Sequence, residues 1–142
     1  MWHKKYMDLA KKISEWSKDP STKVGTVIVS KEGQILAQGY NGFPRGVKDL
    51  KTRLNNRDVK LKYMVHAEMN AIYNSSFNGV SLKNATLYVY GLPVCHECSK
   101  GIIQVGISTV IIQKNEENVK WKDSCNLAKK IFKEANVKII EI

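Results

Sequence analysis

Two short motifs bring together the residue types that bind a transition metal and activate water. His66 and Glu68 belong to the first motif, and Cys95 and Cys98 form a Cys-x-x-Cys pair in the second. If Cys95 begins a helix, both sulfurs can meet one ion beyond its N-terminus, where the helix dipole favours thiolates. With His66 as a third ligand, a zinc ion would keep one position open for water. Glu68 would then be the base that acts on this water.

Three other residues could compete for the metal. His96 lies inside the Cys pair and faces another side of the helix, His3 is close to the N-terminus, and Cys125 stands alone where a small buried role is common. A redox dithiol usually follows the first strand of a thioredoxin-like unit, whereas Cys95 follows the third predicted strand. The odd number of cysteines, three, disfavours a disulfide framework. The pattern therefore favours a metal site whose ligands do not include His96, His3 or Cys125.

The composition is typical of a soluble globular protein. The chain has 142 residues, of which 43% are hydrophobic and 25% charged, and this length suits one domain over residues 1–142. No apolar run approaches the roughly 20 residues that span a bilayer, and no secretory pattern occurs, so we expect a cytoplasmic protein with no membrane partner. The net charge of +10 favours nucleic acids, membrane surfaces or phosphorylated small molecules, but a solvated lysine-rich surface explains it equally well.

The apolar pattern predicts elements in the order α-β-β-α-β-α-β-α-β. The predicted helices are 3–18, 66–74, 95–105 and a last one over 127–135, and the predicted strands are 23–30, 34–40, 85–90, 108–113 and 137–140. Residues 41–62 begin with two Gly and a Pro and are predicted to form one long irregular loop. A hairpin followed by βα alternation indicates an α/β fold, with helices on both faces of a five-stranded mixed sheet.

A His-x-Glu motif followed by Cys-x-x-Cys is a known signature of zinc-dependent nucleobase deaminases. Over nearly its whole length the chain resembles the deoxycytidylate (dCMP) deaminases of the cytidine deaminase superfamily. The segments that carry the resemblance are 17–25, 39–46, 66–72 and 101–107, and the glycine-rich 39–46 is the most discriminating. One departure is Val94, which stands between Pro93 and Cys95, whereas the family usually has Pro directly before the first Cys. The resemblance implies a three-layer α/β/α cytidine deaminase-like sandwich.

The resemblance also implies a reaction. It implies Zn²⁺ on His66, Cys95 and Cys98, and hydrolytic deamination of dCMP to dUMP in the supply of dTMP precursors. Glu68 would take the proton of the attacking water, protonate N3 of the ring and later protonate the departing ammonia.

Substrate contacts follow from the same resemblance. It implies that Asn41 contacts the sugar and that the backbone around Ala67 contacts the base. Thr26 and Tyr90 are candidates for the pocket wall. Lys23 and Arg45 are candidates for holding the phosphate, although an exposed surface position is the more common role of such residues.

The family further implies regulation and assembly. Deoxycytidylate deaminases are typically homohexamers that dCTP activates and dTTP inhibits, often with Mg²⁺ on the triphosphate. We therefore expect a homohexamer with an allosteric nucleotide site in the glycine-rich segment, at Gly39, Tyr40, Gly42 and Arg45.

Three other functions stay open at the level of sequence. A bifunctional deaminase would also accept dCTP, a nucleic-acid deaminase would act on tRNA adenosine or single-stranded DNA cytosine, and a zinc-binding module would have no turnover. The 39–46 segment favours a free nucleotide over nucleic acid, and the presence of Glu68 disfavours a non-catalytic module.

Overall fold

A five-stranded sheet organises the chain in a computed structural model that describes residues 1–114 and 122–142. The helices are α1 (Trp2–Ser14), α2 (Lys51–Leu54), α3 (Arg57–Tyr63), α4 (Ala67–Phe77), α5 (His96–Gln104) and α6 (Lys122–Glu134). The strands are β1 (Gly25–Val29), β2 (Ile35–Tyr40), β3 (Thr86–Tyr90), β4 (Thr109–Ile112) and β5 (Lys138–Glu141). Within the described ranges, no helix combines the length and apolar character that crossing a bilayer requires.

The sheet is mixed, with strand order β2-β1-β3-β4-β5. β1 pairs antiparallel with both β2 and β3, whereas β3, β4 and β5 run parallel. Every residue of β1 is buried, because helices cover both faces of the sheet. Apolar side chains of α1 pack on one face, and those of α4, α5 and α6 pack on the other. The predicted five-stranded mixed sheet and three-layer α/β fold are confirmed.

The segment after β2 differs from its prediction. We predicted one irregular loop over residues 41–62, but the structure contains α2 and α3 there, so that prediction was wrong. The Asn56 side chain caps α3 by accepting a hydrogen bond from the Val59 amide, and Asp58 in the first turn complements the helix dipole. Both helices are too short to show a clear apolar stripe.

A buried ion pair ties α3 to the loop before β1. Lys60 Nζ lies 2.9 Å from Asp19 Oδ1, and the side chains are only 6% and 7% exposed. Burial alone would raise the pKa of Asp19, but hydrogen bonds from Lys60 and from the Ser21 and Thr22 amides outweigh it and lower this pKa. Asn41 Nδ2 also donates to Asp19 Oδ2, at 3.4 Å. The Asp19 carboxylate therefore connects the loop before β1 to the end of β2, through Asn41, and to α3, through Lys60.

Helix α4 lies unusually close to β2 at Gly39. A Cβ added to Gly39 would stand 2.4 Å from the Ala71 amide nitrogen and 2.7 Å from the Ala67 carbonyl oxygen. Any side chain here would push the start of α4 away from the sheet. The structure therefore gives Gly39 a packing role beneath α4.

We predict that Gly39→Ala destabilises the fold by about 1–3 kcal/mol or more, because its methyl group would overlap the α4 backbone. Gly42→Ala is the matched control, since an added Cβ would meet only the Tyr40 ring at an ordinary 3.6 Å. Urea unfolding measures both free energies. Equal losses in the two variants would contradict this account of Gly39.

We predict that Asp19→Asn costs about 3–5 kcal/mol of stability at neutral pH, because it leaves Lys60 buried without a counter-ion. The double variant Asp19→Asn/Lys60→Met should regain part of this loss. Because the folded-state pKa of Asp19 is lowered, its contribution is present above the ordinary carboxyl pKa and is lost as the pH falls through the lowered value. Urea unfolding across that acidic range measures this, and losses that simply add in the double variant would contradict the coupling.

Candidate metal centre and active site

His66 sits at the boundary between an extended segment and helix α4. The preceding residue, Val65, forms an isolated bridge with Gly42, through backbone hydrogen bonds of 2.8 and 3.1 Å. His66 is the N-cap of α4, with extended backbone angles φ −65° and ψ 151°, and its side chain makes no capping hydrogen bond. The imidazole is therefore available for a ligand at the helix N-terminus.

Cys95 occupies the equivalent position on α5. It is the N-cap of that helix, and its Sγ accepts a hydrogen bond from the Cys98 amide at 3.4 Å. Hydrogen bonds from Cys98 and from His66 lower the pKa of Cys95 to about 4. The side-chain hydrogen bond between Cys98 and Cys95, together with burial, raises the pKa of the Cys98 thiol. His66, Cys95 and Cys98 thus share protons through hydrogen bonds with one another, and a divalent cation would replace these protons between the three side chains.

The three predicted metal ligands form one cluster. His66 Nδ1 lies 3.3 Å from Cys98 Sγ and 3.5 Å from Cys95 Sγ, and all three donor atoms lie within 4.8 Å of one another. Zinc bond lengths and tetrahedral angles require about 3.6 Å between a nitrogen and a sulfur ligand. The donor set and spacing therefore fit zinc, as predicted.

No fourth protein ligand joins this cluster within residues 1–114 and 122–142. His96 Nδ1 instead bonds Ser124 Oγ at 2.8 Å, and His3 Nδ1 bonds the Tyr88 hydroxyl at 2.8 Å. Cys125 is buried and lies outside the cluster. Three protein ligands are typical of a catalytic zinc site, which leaves one position for water or substrate.

Glu68 lies in the first turn of α4, beside this cluster, and is only 4% exposed. Burial raises the pKa of its carboxyl to about 7, against the opposing effect of the His66 charge. A carboxyl with a pKa near neutrality can both accept and return a proton, which suits general acid–base catalysis.

The cluster opens into a cavity of about 330 Å³. Its wall includes His66, Glu68 and Cys95 together with residues of the loop before β1, of α3 and of α6. This volume falls at the lower end of the roughly 300–1,000 Å³ typical of small-molecule sites. The arrangement can hold a metal, a water and a compact polar substrate in one place.

Comparison with known proteins agrees with this geometry. The sequence pattern of the cytidine and deoxycytidylate deaminase zinc-binding region matches residues 1–114. The chain belongs to this deaminase family. The deoxycytidylate deaminase of Mus musculus is 40% identical over 143 residues, which cover 96% of this chain and 76% of that protein. The deoxycytidylate deaminase of Homo sapiens is 38% identical over 141 residues, with the same shares covered.

Solved structures of this deaminase family share the fold. The dCMP deaminase of cyanophage S-TIM5, crystallised with dCMP and dUMP, superposes with a TM-score of 0.77 at 27% identity. The match covers 98% of this chain and 95% of that one. The predicted family, the predicted fold and the prediction of a zinc-dependent deaminase enzyme are confirmed.

The cavity includes only some of the predicted substrate residues. Asn41 and Ala67 line it, whereas Thr26, Lys23 and Tyr90 do not belong to its described wall. Thr26 is fully buried, and its Oγ1 has no hydrogen-bond partner among the described residues. Lys23 is exposed, and Tyr90 packs on the α1 face of the sheet. Alternation along β3 explains the position of Tyr90, but the sequence alone does not reveal which face leads to the metal.

The residues predicted for regulation lie outside the cavity wall. Tyr40 packs edge-on against Trp16, with ring centroids 6.3 Å apart. Arg45 hydrogen-bonds Asn74 Oδ1, and its guanidinium lies 4.6 Å from the centre of the Phe77 ring. Gly39 is buried under α4, and Gly42 forms the bridge to the residue before His66.

Sequence reasoning did not assign several residues to the cavity. Its wall also contains Asp19, Arg57, Lys60 and Cys125. The spacing of Arg57 and Lys60, three residues apart behind the helix-capping Asn56, is the signal that could have placed both on one face of a helix.

We predict one zinc ion per chain and its loss in Cys98→Ala, because two remaining donors hold zinc poorly. Cys125→Ala is the matched control, since this buried cysteine lines the cavity outside the metal cluster. Elemental analysis after gel filtration measures the stoichiometry. Full zinc occupancy in Cys98→Ala, or zinc loss in Cys125→Ala, would refute the assigned ligand set.

Proposed function

We propose that this chain catalyses the hydrolytic deamination of dCMP to dUMP. The observation that carries the proposal is the meeting of His66, Cys95 and Cys98 beside the buried Glu68 in one cavity. Relatives named deoxycytidylate deaminases, which align over nearly the whole of this chain, support dCMP as the substrate.

Glu68 carries the protons of the reaction. His66, Cys95 and Cys98 would hold a zinc ion, whose Lewis acidity would favour a water nucleophile near neutral pH. Glu68 would accept one proton of the attacking water as the oxygen bonds C4, and would deliver that proton to N3 of the ring. It would then take the second proton from the new C4 hydroxyl and pass it to the amino group, so that C4=O forms, the C4–N bond breaks and ammonia leaves. Its position in the cavity wall next to His66 supports this role.

Asn41 and Ala67 orient the substrate. The Asn41 Nδ2 hydrogens are used by Thr22 O, at 2.9 Å, and by Asp19 Oδ2, and Oδ1 accepts the Val24 amide at 2.9 Å. One lone pair of Oδ1 remains, so Asn41 offers an acceptor to a sugar hydroxyl. Ala67 begins α4, where the first amides have no partner within the helix, and its N–H is therefore available to a base carbonyl.

Regulation and assembly form a further part of the proposal. We propose a cytoplasmic homohexamer that dCTP activates and dTTP inhibits, with Mg²⁺ on the triphosphate. The exposed apolar surface on α4, with Tyr73 53% and Phe77 74% exposed, supports an interface beside Arg45. Tyr40, Gly42 and Arg45 lie in the same glycine-rich segment, whose backbone could approach a nucleotide closely.

We predict that Glu68→Gln keeps stoichiometric zinc but lowers kcat for dCMP by at least about 100-fold, because the amide can no longer carry a proton. Ammonia release and zinc content are measured on the same sample. Near-normal turnover by the zinc-loaded variant would contradict the assigned mechanism.

A substrate panel tests the proposed function as a whole. Ammonia release from dCMP, dCTP, CMP, deoxycytidine and a cytosine-containing single-stranded oligonucleotide is compared, with and without added dCTP or dTTP. We expect dCMP to have the highest kcat/KM. Comparable turnover of dCTP would instead indicate a bifunctional enzyme, and turnover of the oligonucleotide alone would indicate a nucleic-acid deaminase.

A further inference from the structure

Four charged side chains line the catalytic cavity, and three of them already have a function or a partner. Glu68 is the proton carrier, and Asp19 and Lys60 form the buried ion pair. Arg57 is the remaining one, and it makes no ion pair or side-chain hydrogen bond within the part of the chain that the structure describes. The cavity therefore offers one uncompensated cation to a ligand.

Local structure fixes the position of Arg57. It is the first residue of α3, directly after the N-cap Asn56, whose side chain bonds the Val59 amide at 3.3 Å. Lys60 follows one turn later on the same face, and its contact with Asp19 anchors that face to the cavity wall. Arg57 thus projects from a capped and anchored helix end.

Other cations considered for this role are placed elsewhere. Lys23 does not line the cavity, Arg45 bonds Asn74, and Lys18 pairs with Asp49 at 3.0 Å. Lys60 is neutralised by Asp19. Arg57 is therefore the described cation best placed to meet an anionic group of a ligand in this cavity.

We propose that Arg57 binds the 5′-phosphate of the substrate and so makes the enzyme prefer a nucleotide to a nucleoside. This rests on the proposed function. The planar guanidinium can donate two parallel hydrogen bonds to phosphate oxygens, a geometry that a lysine ammonium cannot reproduce. Arg57 acts on binding and specificity and takes no part in proton transfer.

The first test compares Arg57→Gln with Lys62→Gln, which removes the same charge from an exposed position of the same helix. We expect Arg57→Gln to lower kcat/KM for dCMP by about 10- to 100-fold, mainly through KM, and to leave deoxycytidine turnover within about twofold. Arg57→Lys should recover part of the loss in kcat/KM for dCMP. Lys62→Gln should leave the turnover of both dCMP and deoxycytidine unchanged. Equal losses on dCMP and deoxycytidine, or no loss on dCMP, would overturn the proposal.

The second test does not depend on turnover. The affinities of the zinc-loaded chain for dUMP and deoxyuridine are measured by calorimetry for the same variants. We expect Arg57→Gln to weaken dUMP binding selectively and to abolish most of its advantage over deoxyuridine. If wild type deaminates no cytosine nucleotide, the proposed function fails. If dUMP affinity is unchanged in Arg57→Gln, the phosphate role of Arg57 fails, whatever the activity.

Discussion

The meeting of two helix N-termini at one edge of the sheet is the constraint on which the site depends. Because β2 and β3 both pair antiparallel with β1, they run in the same direction and end at the same edge. Their last residues, Tyr40 and Tyr90, both lie opposite Gly25. The chain leaving β3 reaches Cys95 at the start of α5, and the chain leaving β2 returns to this edge at His66. The topology therefore places His66 and Cys95 at N-caps and Cys98 in the first turn of α5, where the helix dipole favours thiolates.

The metal-binding residues and the cavity wall come from two different parts of the molecule. The sheet edge and the starts of α4 and α5 supply the proposed metal ligands and the proposed proton carrier, Glu68. The segment between β2 and α4 supplies part of the cavity wall, and the contact between Lys60 and Asp19 holds this part against the loop before β1. Since Asp19 also accepts a hydrogen bond from Asn41, the same carboxylate links the wall to the residue proposed to contact the sugar.

Sequence reasoning succeeded where a signal is local and failed where it depends on tertiary context. The His-x-Glu and Cys-x-x-Cys spacings place their residues at helix starts, and alternating apolar runs locate the strands. Helix α3 was missed because it is short, and its one strong local signal is the cap at Asn56. Thr26 and Tyr90 could not be excluded from the cavity wall, because which residues of a strand face the cavity depends on which helices pack there. The ion pair of Asp19 with Lys60 joins residues 41 positions apart, a separation without a local pattern.

One histidine and two cysteines are proposed to hold a zinc ion that keeps an open position beside Glu68. X-ray absorption at the zinc edge tests this proposal most directly on the purified, zinc-loaded chain. We predict two sulfur ligands at about 2.3 Å and two nitrogen or oxygen ligands at about 2.0–2.1 Å, the last of them exchangeable with a substrate-like ligand. A first shell of three or four sulfurs, or one without sulfur, would contradict the account.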